Sequence, residues 1–264
     1  MKHYAYKSPF KMIDSEGVEY TLKIEQDDCA ESPREWDNVC TMVCFHRNYD
    51  LGDTHDYEDG DEFFDYILHD ICGMNYKDFE TLTTREKYKL AHESDKVYIK
   101  ELNLYDHSGI TISTSNSYPY NDRWDAGCVG WVYVSKSKLL RECGGIPEKD
   151  ENGEFIRIPH THPDGSITYS IKTILITEEN WKQAAEYYME GEVETYDQYV
   201  RGNVYGYILT KKVIEQEKCP HCGEVIREYE DEDEIDSCWG FYGDCLEENG
   251  ILDNLSRNIK FMEE

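Results

Sequence analysis

The chain is short of basic residues and has no long apolar run. Against 27 Lys and Arg stand 56 Asp and Glu among 264 residues, a formal net charge of −29. The shortage is global: residues 1–100 carry 12 basic and 23 acidic side chains, 101–200 carry 8 and 17, and 201–264 carry 7 and 16. Such a surface repels nucleic acid and anionic membrane and attracts basic partners. No stretch of about 20 apolar residues occurs, and the opening "MKHYAYKSPFKMIDSEG" lacks the apolar segment of a secretory leader. The expectation is a soluble, cytoplasmic protein that touches neither membrane nor nucleic acid directly. The phosphate-binding loop, the GxGxxG turn, the kinase signature and the HEXXH pair are all missing, as are internal repeats and coiled-coil heptads. No residue is assigned a catalytic role, and the oligomeric state is left open.

Aromatic residues are plentiful, with 22 Tyr, 8 Phe and 5 Trp. Disordered acidic chains are poor in aromatics, so a folded core is expected. The 10 cysteines of a cytosolic chain read as free thiols or metal ligands before disulfides.

Alternation predicts strands at 18–26, 38–47, 97–106, 109–114, 128–136 and 204–216. Helical spacing of Phe63, Phe64, Ile67 and Ile71 predicts a helix over 61–71, and "KSKLLREC" starts a short one. The best helix lies within 177–203, with Thr177 as its cap, Trp181, Ala184, Ala185 and Tyr188 on one face, and Gly191 as an interruption. Turn signals in "DENGE" and "HPDGS" mark 145–168 as an extended arm. Irregular order of strands and helices gives an α+β class, with a mixed or antiparallel sheet, a few helices and a C-terminal cysteine hairpin. The expected division is a domain over 1–215 and an appendage over 216–264 holding the hairpin, an acidic run and a short closing helix.

"CPHCG" places Cys219 and Cys222 on a tight turn that aims two thiolates at one point, with Gly223 letting the backbone curl beneath them. Cys238 and Cys245 follow in the spacing CxxC-x15-C-x6-C, so these four are the candidate ligands of a structural zinc, with His221 as substitute. The alternative is a pair of bare thiols on a hairpin tip.

Two acidic runs stand out. One holds Asp50, Asp53, Asp56, Glu58, Asp59, Asp61, Glu62 and Asp65, with no base between them. The other holds Glu230, Asp231, Glu232, Asp233, Glu234 and Asp236. An EF-hand register centred on Gly60 puts His55, Tyr57 and Asp59 on the first ligand positions, and the pattern fails. Charge runs are usually solvated faces. The sharper reading is phosphate mimicry, in which rows of carboxylates fill a groove built for nucleic acid. Tyr57, Phe63, Phe64, Tyr229, Trp239, Phe241 and Tyr242 among the acids would add contact area.

Catalytic readings are weaker. "YDHSG" sets Asp106, His107 and Ser108 side by side, whereas a triad is assembled from distant segments. Cys128 in "WDAGCVG" could pair with His107 as a nucleophile, although both adjoin strong strands and suit structural roles. His46 and His55, near Asp37, Asp50 and Asp53, form a loose metal candidate, and His160 and His162 fall in the expected arm.

Five stretches, "ESPREWDNVCTMVCFHRNYDLGD", "LYDHSGITIST", "WDAGCVGWVYVSK", "EVETYDQYVRGNVYGYIL" and "EIDSCWGFYGD", together resemble a functionally uncharacterised family of acidic proteins carried by bacteriophages and other mobile elements of bacteria. The resemblance spans most of 18–250 and leaves 145–168 as extra material. It brings no catalytic residues, and it implies a setting in the bacterial host cell. By analogy of charge and setting, the expected role is an anti-defence inhibitor that imitates DNA. Its partner would be a nuclease or another basic nucleic-acid-binding protein. The other readings are a small hydrolase with a His/Asp/Cys pocket and an accessory protein with a structural zinc.

Overall fold

Why the chain folds as it does is clearest in its strand pairing. In the computed structural model, residues 2–107, 109–115, 126–162, 166–255 and 258–262 are described. Among them the elements run β1 (Phe10–Ile13), β2 (Glu19–Gln26), β3 (Thr41–Cys44), α1 (Gly60–Tyr66), α2 (Thr84–Glu93), β4 (Val97–Asp106), β5 (Ile110–Ser113) and β6 (Ala126–Ser135). Then follow α3 (Lys136–Glu142), β7 (Gly145–Pro147), β8 (Arg157–Thr161), β9 (Ile167–Ile171), β10 (Thr173–Leu175), α4 (Trp181–Val200), β11 (Val204–Lys218), β12 (Val225–Tyr242), α5 (Ile251–Asn254) and β13 (Lys260–Phe261). Every strand pairing is antiparallel, and the class is α+β.

Two compact units form. One comprises 1–33 and 195–264, the other 34–194. This differs from the expected division near 215, which falls inside β11. That strand pairs with β2 from Tyr205↔Gln26 to Lys211↔Tyr20, so the first and last parts of the chain share one sheet.

The terminal unit is a five-stranded sheet in the order β12-β11-β2-β1-β13. Alternation along β2 and β11 turns Leu22, Ile24, Tyr207 and Leu209 inward, where they pack with Met12, Phe241, Leu246 and Ile251. The closing helix is one turn, α5, followed by β13.

The central unit carries a four-stranded sheet, β3-β6-β4-β5. Val97 and Ile99 of β4 meet Phe63 and Phe64 of α1, Ile67 and Leu68 of the π-turn that follows, and Ala91 of α2. Lys100, on the other face of β4, pairs with Glu186 and Glu190 of α4. The helix expected over 61–71 is therefore α1 with its π continuation. Helix α2 was not foreseen, although Thr83 and Glu86 close a reciprocal capping box at its start. Helix α4 runs unbroken through Gly191, and the Asn180 carbonyl receives the first helical N–H, from Ala184. Gly191 does not interrupt the helix because one glycine costs only about 1 kcal/mol, and Trp181, Ala184, Ala185, Met189 and Val193 bury a stripe that more than offsets it.

The arm is real. Strands β8 and β9 form an exposed hairpin on which His160 meets Ser170 at 2.7 Å and His162 meets Thr168 at 2.8 Å.

Candidate functional site: an acidic edge ribbon

The second acidic run is a strand. Asp and Glu are poor strand formers, yet β12 extends over 18 residues because β11 offers partners along its length. Lys211 faces Asp233 and Lys212 faces Glu232 in the ladder, and Lys212 Nζ reaches Glu230 at 2.7 Å. The Tyr229 hydroxyl donates to Glu215 at 2.7 Å, and Gln216 donates to Glu228 at 2.6 Å. At the sheet's end of the run, Tyr207 donates to Asp236 at 2.6 Å. Burial and then that carboxylate raise the Tyr207 phenol above its usual range.

Strand β12 is the sheet edge, and pairing between β11 and β2 stops at Lys211. Beyond it the hairpin is a free two-stranded ribbon that reaches about 25 Å further, at ~3.3 Å per residue. Every residue from Val225 to Ser237 is exposed. A bulge between the pairs Leu209–Asp236 and Thr210–Glu234 ends the regular register. Below it Glu228, Glu230, Glu232 and Glu234 line one face, and Asp231 and Asp233 the other. Trp239 lies flat over Gly206, where an added Cβ would sit 2.2 Å from the indole.

Residues 50–65 behave differently. Asp53 accepts from Arg34 Nε at 2.7 Å and Nη2 at 2.8 Å, and from the Met42 N–H at 2.8 Å. Asp59 caps α1 by accepting from the N–H groups of Asp61 and Glu62. Glu62 accepts from the Glu58 N–H at 2.7 Å. Asp61 takes Lys87 Nζ at 2.8 Å, and Asp65 takes the same ammonium. Five of the eight acids thus serve this unit's own fold, and Asp50, Asp56 and Glu58 stand as exposed carboxylates. The aromatic residues divide likewise: Phe63, Phe64 and Phe241 are core, whereas Tyr229 and Trp239 are exposed on the ribbon.

The four candidate zinc ligands are not brought together. Cys219 and Cys222 lie at the ribbon tip, whereas Cys238 pairs with Tyr207 inside the sheet and Cys245 is buried beyond β12, bridged to Tyr4. The extended chain from Val225 to Cys238 spans about 40 Å, which no tetrahedral site bridges. Among the described residues, no group of three or more His, Cys, Asp or Glu is placed to hold a metal. The tip itself is a formed knuckle. Cys219 N–H donates to the Glu224 carbonyl at 2.7 Å and Gly223 N–H to the Cys219 carbonyl at 2.9 Å, with Gly223 at φ 75°. The backbone N–H groups of His221 and Cys222 point at Cys219 Sγ and hold its thiol below the ordinary value.

The catalytic readings find no geometry. Cys128 pairs with Asn103 on β4, and His107 lies four residues beyond Asn103, about 13 Å along the strand. Ser108 lies outside the described residues. Burial pushes the Cys128 thiol up, the wrong direction for a nucleophile. Cys128 borders a cleft of about 190 Å3 with Phe45, Glu58 and Trp131, below the ~300 Å3 at which ligand pockets begin. His55 Nε2 bonds the Cys44 carbonyl at 2.9 Å, and His46 Nδ1 accepts from the Tyr49 N–H at 3.2 Å, so both serve local turns.

Fold and surface together define an antiparallel α+β protein that presents an acidic edge ribbon. No family model matches the chain, and no curated protein or solved structure matches it. No helix among the described residues is long and apolar enough to cross a membrane.

Proposed function

We propose that the protein is an inhibitor that occupies the nucleic-acid-binding surface of a basic protein, with the β11–β12 ribbon as its contact. The observation that carries this reading is the row Glu230 to Glu234, five consecutive exposed carboxylates on an edge strand. A strand rises ~3.3 Å per residue, and one strand of B-DNA carries one charge per about 3.4 Å of axis. Counted over both faces the row carries one carboxylate per ~3.3 Å, and each single face one per ~6.6 Å, with Lys212 and Lys23 beside Glu230 and Glu232. A groove built for phosphates holds ions that such a row would release, which favours binding at low salt. The ribbon's free reach suits insertion into a groove, and Tyr229 and Trp239 supply aromatic contact. The sequence resemblance supports a setting in bacteria carrying phage or other mobile elements, where the target would be a host defence nuclease or other DNA-binding enzyme in the cytoplasm.

The test uses the immobilised chain to capture proteins from bacterial lysates at about 50 mM and 300 mM salt, a range over which phosphate-type contacts lose orders of magnitude in affinity. A variant with Glu230→Gln, Asp231→Asn, Glu232→Gln, Asp233→Asn and Glu234→Gln serves as comparison. Nucleic-acid-binding proteins retained at low salt, displaced by duplex DNA and lost with the variant are expected. Retention that the variant leaves unchanged would remove the ribbon from the reading, and a capture devoid of nucleic-acid-binding proteins would overturn it.

A further inference from the structure

We infer that the ribbon tip is half of a tetrathiolate zinc site, completed by Cys219 and Cys222 of a second copy of this chain. The knuckle supplies two thiols on one turn, closed by the Cys219 N–H to the Glu224 carbonyl and the Gly223 N–H to the Cys219 carbonyl. A closed structural zinc takes four ligands in a tetrahedron. Within the chain the other two candidates cannot reach: Cys238 and Cys245 lie at the far end of β12. The Cys222 thiol donates to Glu224 Oε2 at 3.8 Å. A two-fold axis through a metal would bring two identical tips together and supply the missing pair, an isologous contact that closes on itself.

A second observation points to the same place. Acids crowd the ribbon from Glu228 onward, but the tip carries Lys218 and Arg227 against the single Glu224. Beside the thiols Val225 and Ile226 are 44% and 62% exposed. The tip thus lacks the crowd of carboxylates that would set the rest of the ribbon against a second copy, and Val225 and Ile226 are exposed on it. It also projects past the third strand, so nothing in its own unit's sheet flanks it. On binding, each thiol would release its proton to solvent and ligate as thiolate.

The test is mass and metal content of the full chain, purified under reductant with zinc present. One zinc per two chains is expected, in a dimer that a strong chelator returns to monomer. Cobalt substitution should give the intense visible absorption of a tetrathiolate centre. Cys219→Ser with Cys222→Ser should abolish zinc and dimer while the far-ultraviolet spectrum stays unchanged, and Cys238→Ser should keep both. A monomer holding one zinc, loss of zinc in Cys238→Ser, a dimer that survives chelation under reductant, or a chain that takes up no zinc would each overturn the inference.

Discussion

Arg34 grips Asp53 through two parallel hydrogen bonds, at 2.7 and 2.8 Å, while its third nitrogen reaches Glu192 at 3.2 Å. The guanidinium is nearly fully enclosed, with 4% of its side chain exposed. Glu192 in turn accepts from the Val39 N–H at 2.8 Å. One cation therefore ties the loop before β3, the loop after it and helix α4. Arg34→Met strands two partly buried carboxylates and should cost about 2–4 kcal/mol. Arg34→Lys should recover less than half of that, because an ammonium cannot make the paired bonds. Urea unfolding of the two variants measures both.

Lys87 makes a pH-dependent contribution. Burial pulls its pKa down, and the bonds and charges of Asp61 and Asp65 outweigh that, so the folded value lies above the ordinary one. A raised lysine stabilises fully below its unfolded value of about 10.4 and loses that contribution as pH climbs through the folded value. Lys87→Met should cost about 1–3 kcal/mol at neutral pH, since Asp61 and Asp65 can partly rehydrate. The variant should lose less stability than wild type as pH rises above ~10.4, by the share that Lys87 contributes. Thermal unfolding across pH 7–11 checks both limbs.

Gly206 and Trp239 form a packing pair across the ribbon's base. A methyl at Gly206 would stand 2.2 Å from the indole, so Gly206→Ala should cost about 1–3 kcal/mol through overpacking. Adding Trp239→Ala should return part of that loss. Additive effects in the double variant would show that the contact is not the cause.

Thiol reactivity should follow the fold. Burial pushes Cys44 up to about 12 and Cys40 higher still, whereas the turn N–H groups lower Cys219. In chelator-treated protein at pH 7.5, iodoacetamide should modify Cys219 first and leave Cys40 and Cys44 untouched until unfolding. Mass mapping of the labelled peptides gives the order.

What the sequence displays and what it hides divide along physical lines. Phe63, Phe64 and Ile67 announce a helix because their spacing matches its pitch, and the alternation of 204–216 announces β11. The start of β12 follows from the hairpin expected around Cys219 and Cys222, but its run through the acids is hidden because Asp and Glu oppose strand formation by themselves, while β11 supplies partners along its whole length. Helix α2 is signalled only by the capping pair Thr83 and Glu86, since its apolar residues are few. The grouping of Cys219 and Cys222 with Cys238 and Cys245 fails for a different reason. Cys222 and Cys238 look close along the chain, but an extended strand converts that interval into its greatest length. The acids of 50–65 looked like surface because nothing in the sequence shows that Arg34 and Lys87 fold back onto Asp53, Asp61 and Asp65.

The outer side of β12 has a consequence for how concentrated solutions of this protein behave. An edge strand of this length, with its backbone groups open along one side, is a template on which further strands add. The mutual repulsion of the carboxylates, together with the bulge at Leu209–Thr210, keeps neighbouring molecules from stacking there. The repulsion reaches about 10 Å in 0.1 M salt and about 3 Å in 1 M salt. Clear stocks in dilute buffer should therefore turn viscous or cloudy in molar salt, as shielded ribbons begin to zip edge to edge.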